Sequence, residues 1–360
     1  MELYWAIFIL IAVFALAEQN FLISKKTTIR LFHIFIIVLF CLSFMRWERG
    51  TDWIGYYNAF LVSDSPDWNS HMELGYTLLN RVIRKFTDNY TIYLFVQSGL
   101  YYSLYVLYVY KINRLLKTSD NCYCCYFPLL LYGFSQGFAG MFNVRSGIAY
   151  LICSIAIFEI YNNNKYRFVL YVVTASFFHY SSLLFLIAYP LFWMKFTKFR
   201  TMLFIILVFV FFQMGSYYAG VLNFFKFEEY TIYIKENTQQ SVLGVLKYMT
   251  LLFLVFMIRP RRDMTLYRGV AKITFVGILF YIWCQFFSPV AQRLAGLFMG
   301  NLVVWGAMFF YNYRKKSRIT FLIGQIVFCA VSLWSLLNSA YKDLFVPYKF
   351  FWDTFQVEVF

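Results

Sequence analysis

The sequence predicts an all-α, polytopic integral membrane protein, a single transmembrane domain over residues 1–360 with about 10–12 spanning segments. Three observations carry that prediction. The chain is 61% hydrophobic and 24% aromatic, with a mean hydropathy of +0.61, and only 14% of it is charged. Apolar runs near twenty residues long recur along most of it, the length a helix needs to cross a hydrocarbon core of about 30 Å. The basic residues collect in the polar segments between those runs, as they do in cytoplasmic loops. The formal net charge of +15 therefore reflects topology, and no nucleic-acid partner is expected.

Apolar windows predict helices near residues 2–22, 30–46, 90–111, 122–141, 145–161, 166–191, 201–222, 242–258, 269–288, 291–312 and 319–337. The first lacks a basic n-region, carrying only Glu2 before its apolar run. It reads as a retained helix with its N-terminus outside, not as a cleaved signal peptide. Lys25, Lys26 and Arg30, then Lys111, Arg114 and Lys117, then Lys165 and Arg167 mark cytoplasmic loops. Arg259 to Arg268 and Arg314 to Arg318 mark two more. The larger segment 46–89, with an amphipathic stretch from Glu73 to Phe86, and the smaller acidic segment 223–241 belong outside, and a tail follows at 338–360. Loop parity conflicts across 162–268 unless one apolar segment fails to cross. The best candidate is 166–191, which is long for one span and carries His179 with Ser181 and Ser182 at its middle. A broken or re-entrant helix there restores parity, and non-helical backbone at membrane depth implies a cavity, here facing outward.

Unusual polar residues then gather on the outer side. The run Arg46-Trp47-Glu48-Arg49-Gly50-Thr51-Asp52 places two arginines and two acids after the second helix; Arg145 opens the fifth, Arg293 the tenth, and His179 sits at the break. A single arginine of this kind is ordinarily a helix-end side chain reaching to the interface. Four of them, against the positive-inside bias, point to bound anion. Arginine suits a diphosphate because its planar fork gives two parallel hydrogen bonds and keeps its charge when desolvated. Glu48 or Asp52 holds an arginine or takes a proton, with Asp52 preferred for acceptor binding or base chemistry. His33 and His71 carry no functional expectation. The Cys122-Tyr-Cys124-Cys125 run lacks a second pair and reads as packed thiols. No H-E-x-x-H, D-x-D, G-x-S-x-G or Walker loop occurs, so donor activation is expected to rest on arginines, with no cofactor or metal.

At these residues the chain resembles the Wzy/EpsG-type polysaccharide polymerases of O-antigen and exopolysaccharide synthesis. The matching features are Arg46-x-x-Arg49-Gly50-Thr51-Asp52-x-x-x-Tyr56, Glu73-x-Gly75-Tyr76-x-x-Leu79-Asn80, Asn143-x-Arg145-Ser146-Gly147-Ile148-Ala149, Ala175-Ser176-x-Phe178-His179-x-Ser181, and Arg293. Ser146 departs from the Gln that family members often carry there. The resemblance implies a GT-C-like, inverting membrane glycosyltransferase of the bacterial inner membrane with its active site toward the periplasm. Its donor would be a glycan on undecaprenyl pyrophosphate and its acceptor a lipid-linked repeat unit, with a chain-length regulator as a candidate partner. Arg145 and Arg293 would clamp the pyrophosphate with Arg49 assisting, and His179 or Asp52 would deprotonate the acceptor. Arg46, Glu48, Glu73 and Tyr76 would bind substrate or hold the site.

Three other classes compete. A lipid-linked oligosaccharide flippase predicts charge through the whole membrane depth and usually repeat symmetry. An acyltransferase would use His179 as base but leaves the arginines without a task. An O-antigen ligase shares the donor, and only the ordered motifs favour polymerase over it.

Overall fold

A computed structural model describes residues 1–50, 52–65, 72–116, 124–137, 140–142, 144–195, 264–283, 295–300, 304, 306–307, 315–339 and 342–356. The expected helices 201–222 and 242–258, the segment 223–241, most of 291–312, and Arg293 lie outside the described residues. Among the described residues there is no strand, only an isolated backbone bridge between Arg46 and Phe350. Among the described residues, four helices are long and apolar enough to cross a membrane: Glu2–Gln19, Lys25–Phe44, Tyr90–Leu116 and Ser317–Leu337. Their outward faces carry Ile9, Leu10, Val13, Ile34 and Ile37 exposed, a surface suited to lipid and costly in water. The protein is a multi-pass, membrane-embedded helical protein.

The described chain forms two compact units, one of Met1–Ile155, Val173–Tyr180 and Gly306–Phe360, the other of Ala156–Val172 and Ser181–Trp305. In the first, α1 (Glu2–Gln19) and α2 (Lys25–Phe44) pack with α5 (Tyr90–Leu116), α6 (Tyr126–Gly137) and α11 (Lys315–Leu337). Helix α2 starts five residues before its apolar window. Ser24 caps it by accepting the Thr27 amide at 3.2 Å, so Lys25, Lys26 and Arg30 join its first turns. Between α2 and α5 lie two short helices, α3 (Trp53–Leu61) and α4 (Leu74–Arg84). The sequence indicated α4 by its amphipathic spacing; α3 lacked any clear signal.

Helix α6 begins at Tyr126, four residues inside its window, because another helix supplies its cap. The carboxylate of Glu18, at the end of α1, accepts the Tyr126 and Phe127 amides at 2.9 Å each, and Gln19 Nε2 donates to the Cys124 carbonyl at 2.8 Å. Glu18 is buried, so its removal would leave two amides without partners. Glu18→Ala is therefore expected to cost about 2 kcal/mol, read as a lower unfolding temperature in detergent, with Glu18→Gln intermediate. An unchanged unfolding temperature in Glu18→Ala would remove this cap from the account of α6.

Helix α7 (Ser146–Tyr161) leads into α8 (Lys165–Ser176), where the expected break is found. The chain leaves the helix at Phe177; the amides of Phe178 and His179 both return to the Ala175 carbonyl at 3.0 Å. A 3₁₀ stretch, Tyr180–Ile187, and α9 (Ala188–Trp193) follow. In the second unit, Lys272 of α10 (Met264–Trp283) donates to the Phe192 carbonyl and, at 2.8 Å, to that of Met194. These are the acceptors that the end of α9 leaves open.

Beyond α11 the chain turns back through residues 342–353 and lies along the loop after α2. Trp47 N donates to Lys349 O, Gly50 N to Leu344 O and Phe351 N to Met45 O, each at 2.9 Å. Tyr4 hydroxyl donates to Phe345 O at 2.8 Å. The loop itself is tightly reversed, with Glu48 at φ 48° and Gly50 at φ 113°, a backbone region only glycine enters freely.

Candidate functional site

The site is built around Glu73. This residue holds the N-cap position of α4 but makes no side-chain cap, since its carboxylate turns away from its own helix. One oxygen, Oε2, accepts Arg145 Nη1 at 2.5 Å; the other, Oε1, accepts His179 Nδ1 at 2.9 Å and the Tyr180 amide at 3.4 Å. The task of receiving an amide of α4 passes to the helix break, where the Phe177 carbonyl accepts Gly75 N at 2.7 Å. That approach requires glycine, because a Cβ at position 75 would stand 2.8 Å from the Phe177 oxygen. The Glu73-x-Gly75 pair thus delivers a carboxylate and a bare backbone to the same three-residue break.

Arg145 enters from the residue before α7. Its Nε donates to the Tyr56 hydroxyl at 3.2 Å, and its guanidinium lies over the rings of Tyr56 and Tyr76, 5.2 and 5.6 Å from their centroids. Tyr56 and Tyr76 belong to a buried cluster with Trp53, Phe60, Ile83, Tyr90, Tyr93, Leu94 and Val144, which fixes α3 and α4 against α5. Aromatic faces and a carboxylate together hold the fork in one orientation.

The electrostatics follow from this geometry. Burial pushes the Glu73 carboxyl up, but the hydrogen bond from His179 and the charge of Arg145 outweigh it and bring its pKa down to about 2. Burial works against the Arg145 charge, yet Tyr56 and Glu73 outweigh it and raise its pKa above the ordinary value. An ionised Glu73 fixes the His179 tautomer. Nδ1 carries the proton that Glu73 accepts, and Nε2, buried and without a hydrogen-bond partner, presents its lone pair. Tyr150 meets the imidazole edge-on at 6.0 Å. A carboxylate, an imidazole with a free nitrogen and a guanidinium in one place can take a proton and hold an anion.

Of the residues singled out by sequence, the structure brings together Glu73, Tyr76, Arg145 and His179. Asp52 holds the N-cap position of α3, one turn before Tyr56, and is exposed; its side chain takes no part in the hydrogen bonds that join these residues. Glu48 is also exposed and pairs with Lys349 at 3.1 Å. Arg46 does not hold these acids, as its position beside them suggested. It is buried, lies over the Phe142 ring at 5.5 Å, and has no counter-carboxylate among the described residues. Arg49 Nη1 donates to the backbone carbonyl of Asp343 at 3.2 Å. Tyr56 and the Phe177 carbonyl were missed as functional groups. Tyr56 had a signal in its fixed spacing after Asp52; a backbone carbonyl has none.

No curated protein and no solved structure matches the chain. The model of the EpsG family matches residues 29–350, a span that takes in Arg46, Glu73, Arg145 and His179, and the chain therefore belongs to the EpsG family.

Proposed function

We propose that the protein is a polysaccharide polymerase that extends a lipid-linked glycan at the outer face of the bacterial inner membrane. Membership of the EpsG family supports a polymerase-type function in general. The observation that carries the finer reading is the free Nε2 of His179, held by Glu73 beside Arg145. In the proposed step, His179 Nε2 removes the proton of an acceptor sugar hydroxyl. That oxygen attacks the anomeric carbon of the donor glycan as the bond from that carbon to the undecaprenyl pyrophosphate oxygen breaks, and the lipid diphosphate leaves with the electron pair. A single displacement of this kind inverts the anomeric centre. Glu73 stabilises the imidazolium that forms, and Arg145, with Arg293, offsets charge on the leaving diphosphate.

The test is the glycan profile of a deletion strain complemented with variants. Loss of polymer with single repeat units still attached to their acceptor supports the polymerase. Absence of any transferred repeat indicates a ligase or flippase, and an unchanged polymer ladder refutes all three. Arg145→Lys and Arg293→Lys should each abolish polymer with protein still in the membrane, because an ammonium gives one contact where the fork gives two. Wild-type chain length in both would refute the diphosphate role.

A further inference from the structure

Arg46 poses a problem that the reaction centre does not solve. The residue is 2% exposed, its Nε and Nη1 are buried without a hydrogen-bond partner, and no carboxylate pairs with it among the described residues. The ionisable groups acting on it are phenols, those of Tyr90, Tyr348, Tyr102 and Tyr56, which carry no charge near neutral pH. Arg49, three residues on, is also buried, with Nε unpartnered. An arginine does not shed its charge, and an uncompensated buried cation costs several kcal/mol. A fold retains such a group where a ligand supplies the missing anion.

The roof over Arg46 is the C-terminal segment. Residues 342–353 cross the Met45–Gly50 loop through backbone bonds, the Arg49 contact to Asp343 O and the Tyr348 hydroxyl's bond to Leu42 O. The side-chain clasp on this roof is weak. Lys349 and Glu48 are 42% and 51% exposed, and a surface ion pair of this kind is worth at most about 1 kcal/mol. Lifting the segment also breaks its backbone bonds and those of the Tyr4 and Tyr348 hydroxyls, and a ligand that satisfies two buried arginines supplies the compensating free energy.

We propose that Arg46 and Arg49 form a second anion site, separate from the Glu73, Arg145 and His179 centre, which takes the diphosphate of the acceptor lipid once residues 342–353 lift. This rests on the polymerase reading, since transfer between two diphosphate-linked lipids needs two anion sites, and Arg145 serves only one. Tyr56, which bonds Arg145, also lies near Arg46. The chemistry also admits a phospholipid headgroup, which the test separates.

The experiment uses the full chain in phosphatidylcholine nanodiscs, with inorganic pyrophosphate titrated by calorimetry. The expected result is two equivalents bound by the wild type and one by Arg46→Gln, the remaining one being lost in Arg145→Gln. Arg46→Gln should unfold at the same temperature as the wild type or higher, because it removes a charge that has no partner; a structural arginine would do the opposite. Undiminished binding in Arg46→Gln, or a lower unfolding temperature with binding intact, overturns the proposal. In a competition arm, polyprenyl diphosphate in the disc should displace the equivalent that depends on Arg46, and phosphatidylglycerol should not; displacement by phosphatidylglycerol alone would overturn the acceptor assignment. Binding is read without polymer synthesis. A chain that binds two equivalents yet makes no polymer refutes the proposed function and leaves this site standing.

Discussion

Glu73→Gln is expected to slow chain extension on the order of 10⁴-fold, the scale seen when the acid that orients a catalytic histidine is neutralised. The amide removes the charge that fixes the His179 tautomer and stabilises its protonated form. It also leaves Arg145, 20% exposed at its side chain, without its counterion. The depressed Glu73 pKa makes the change visible in stability as well. A carboxyl lowered from 4.5 to about 2 stabilises the folded state fully above its unfolded pKa, and that contribution is lost as pH falls through the folded value. The amount is about 3 kcal/mol. Unfolding followed from pH 7 to pH 2 should show the wild type converging on Glu73→Gln at the acid end. A constant offset between them across that range, or extension at wild-type rate, would show that Glu73 does not couple the two partners.

Gly75→Ala is expected to have the next largest effect, although the new methyl touches no substrate. It would stand 2.8 Å from the Phe177 oxygen and 3.0 Å from the Phe177 Cβ, and backbone at a helix break cannot swing aside as a long side chain does. Overpacking of this kind costs about 1–3 kcal/mol, with roughly 1 more for the hydrogen bond from Gly75 N. The shift of α4 carries Glu73 away from His179, and a misplacement approaching 1 Å costs about 10²-fold in rate. Gly55→Ala is the control: a Cβ there meets nothing within 4 Å, and alanine in α3 is expected to be neutral or slightly stabilising. Equal behaviour of the two variants would refute the close approach.

Much of the architecture was legible because hydropathy is a property of single segments. The apolar windows locate α1, α2, α5, α7 and α11 within a few residues, and loop parity locates the break near His179. Two boundaries slipped for different reasons: α2 starts early where the adjacent Ser24 caps it, and α6 starts late where Glu18, distant in sequence, caps it. In the site, the residue types were readable but their pairing was not. Sequence alone places Glu73 among substrate-binding or structural residues and prefers Asp52 as the acid, since charge density near Arg49 favours it. The structure favours the lone acid of an amphipathic helix, because the break at Phe177 and the ring pair Tyr56 and Tyr76 aim that helix at Arg145. Such convergence depends on contacts between segments tens of residues apart.

The tie between the start and the end of the first unit has a consequence for biosynthesis. The loop after α2 takes its shape from residues roughly three hundred positions later, as in the pairs Glu48 with Lys349 and Leu42 with Tyr348. While the ribosome is still producing the intervening helices, that loop has no partner for the amides of Trp47 and Gly50. Its geometry is therefore acquired only after α11 has been inserted and residues 342–353 have emerged. A nascent chain halted before that point would hold Glu73, Arg145 and His179 but leave Arg46 uncovered, so the closed form of this loop arrives in one step with residues 342–353 and not gradually along the chain.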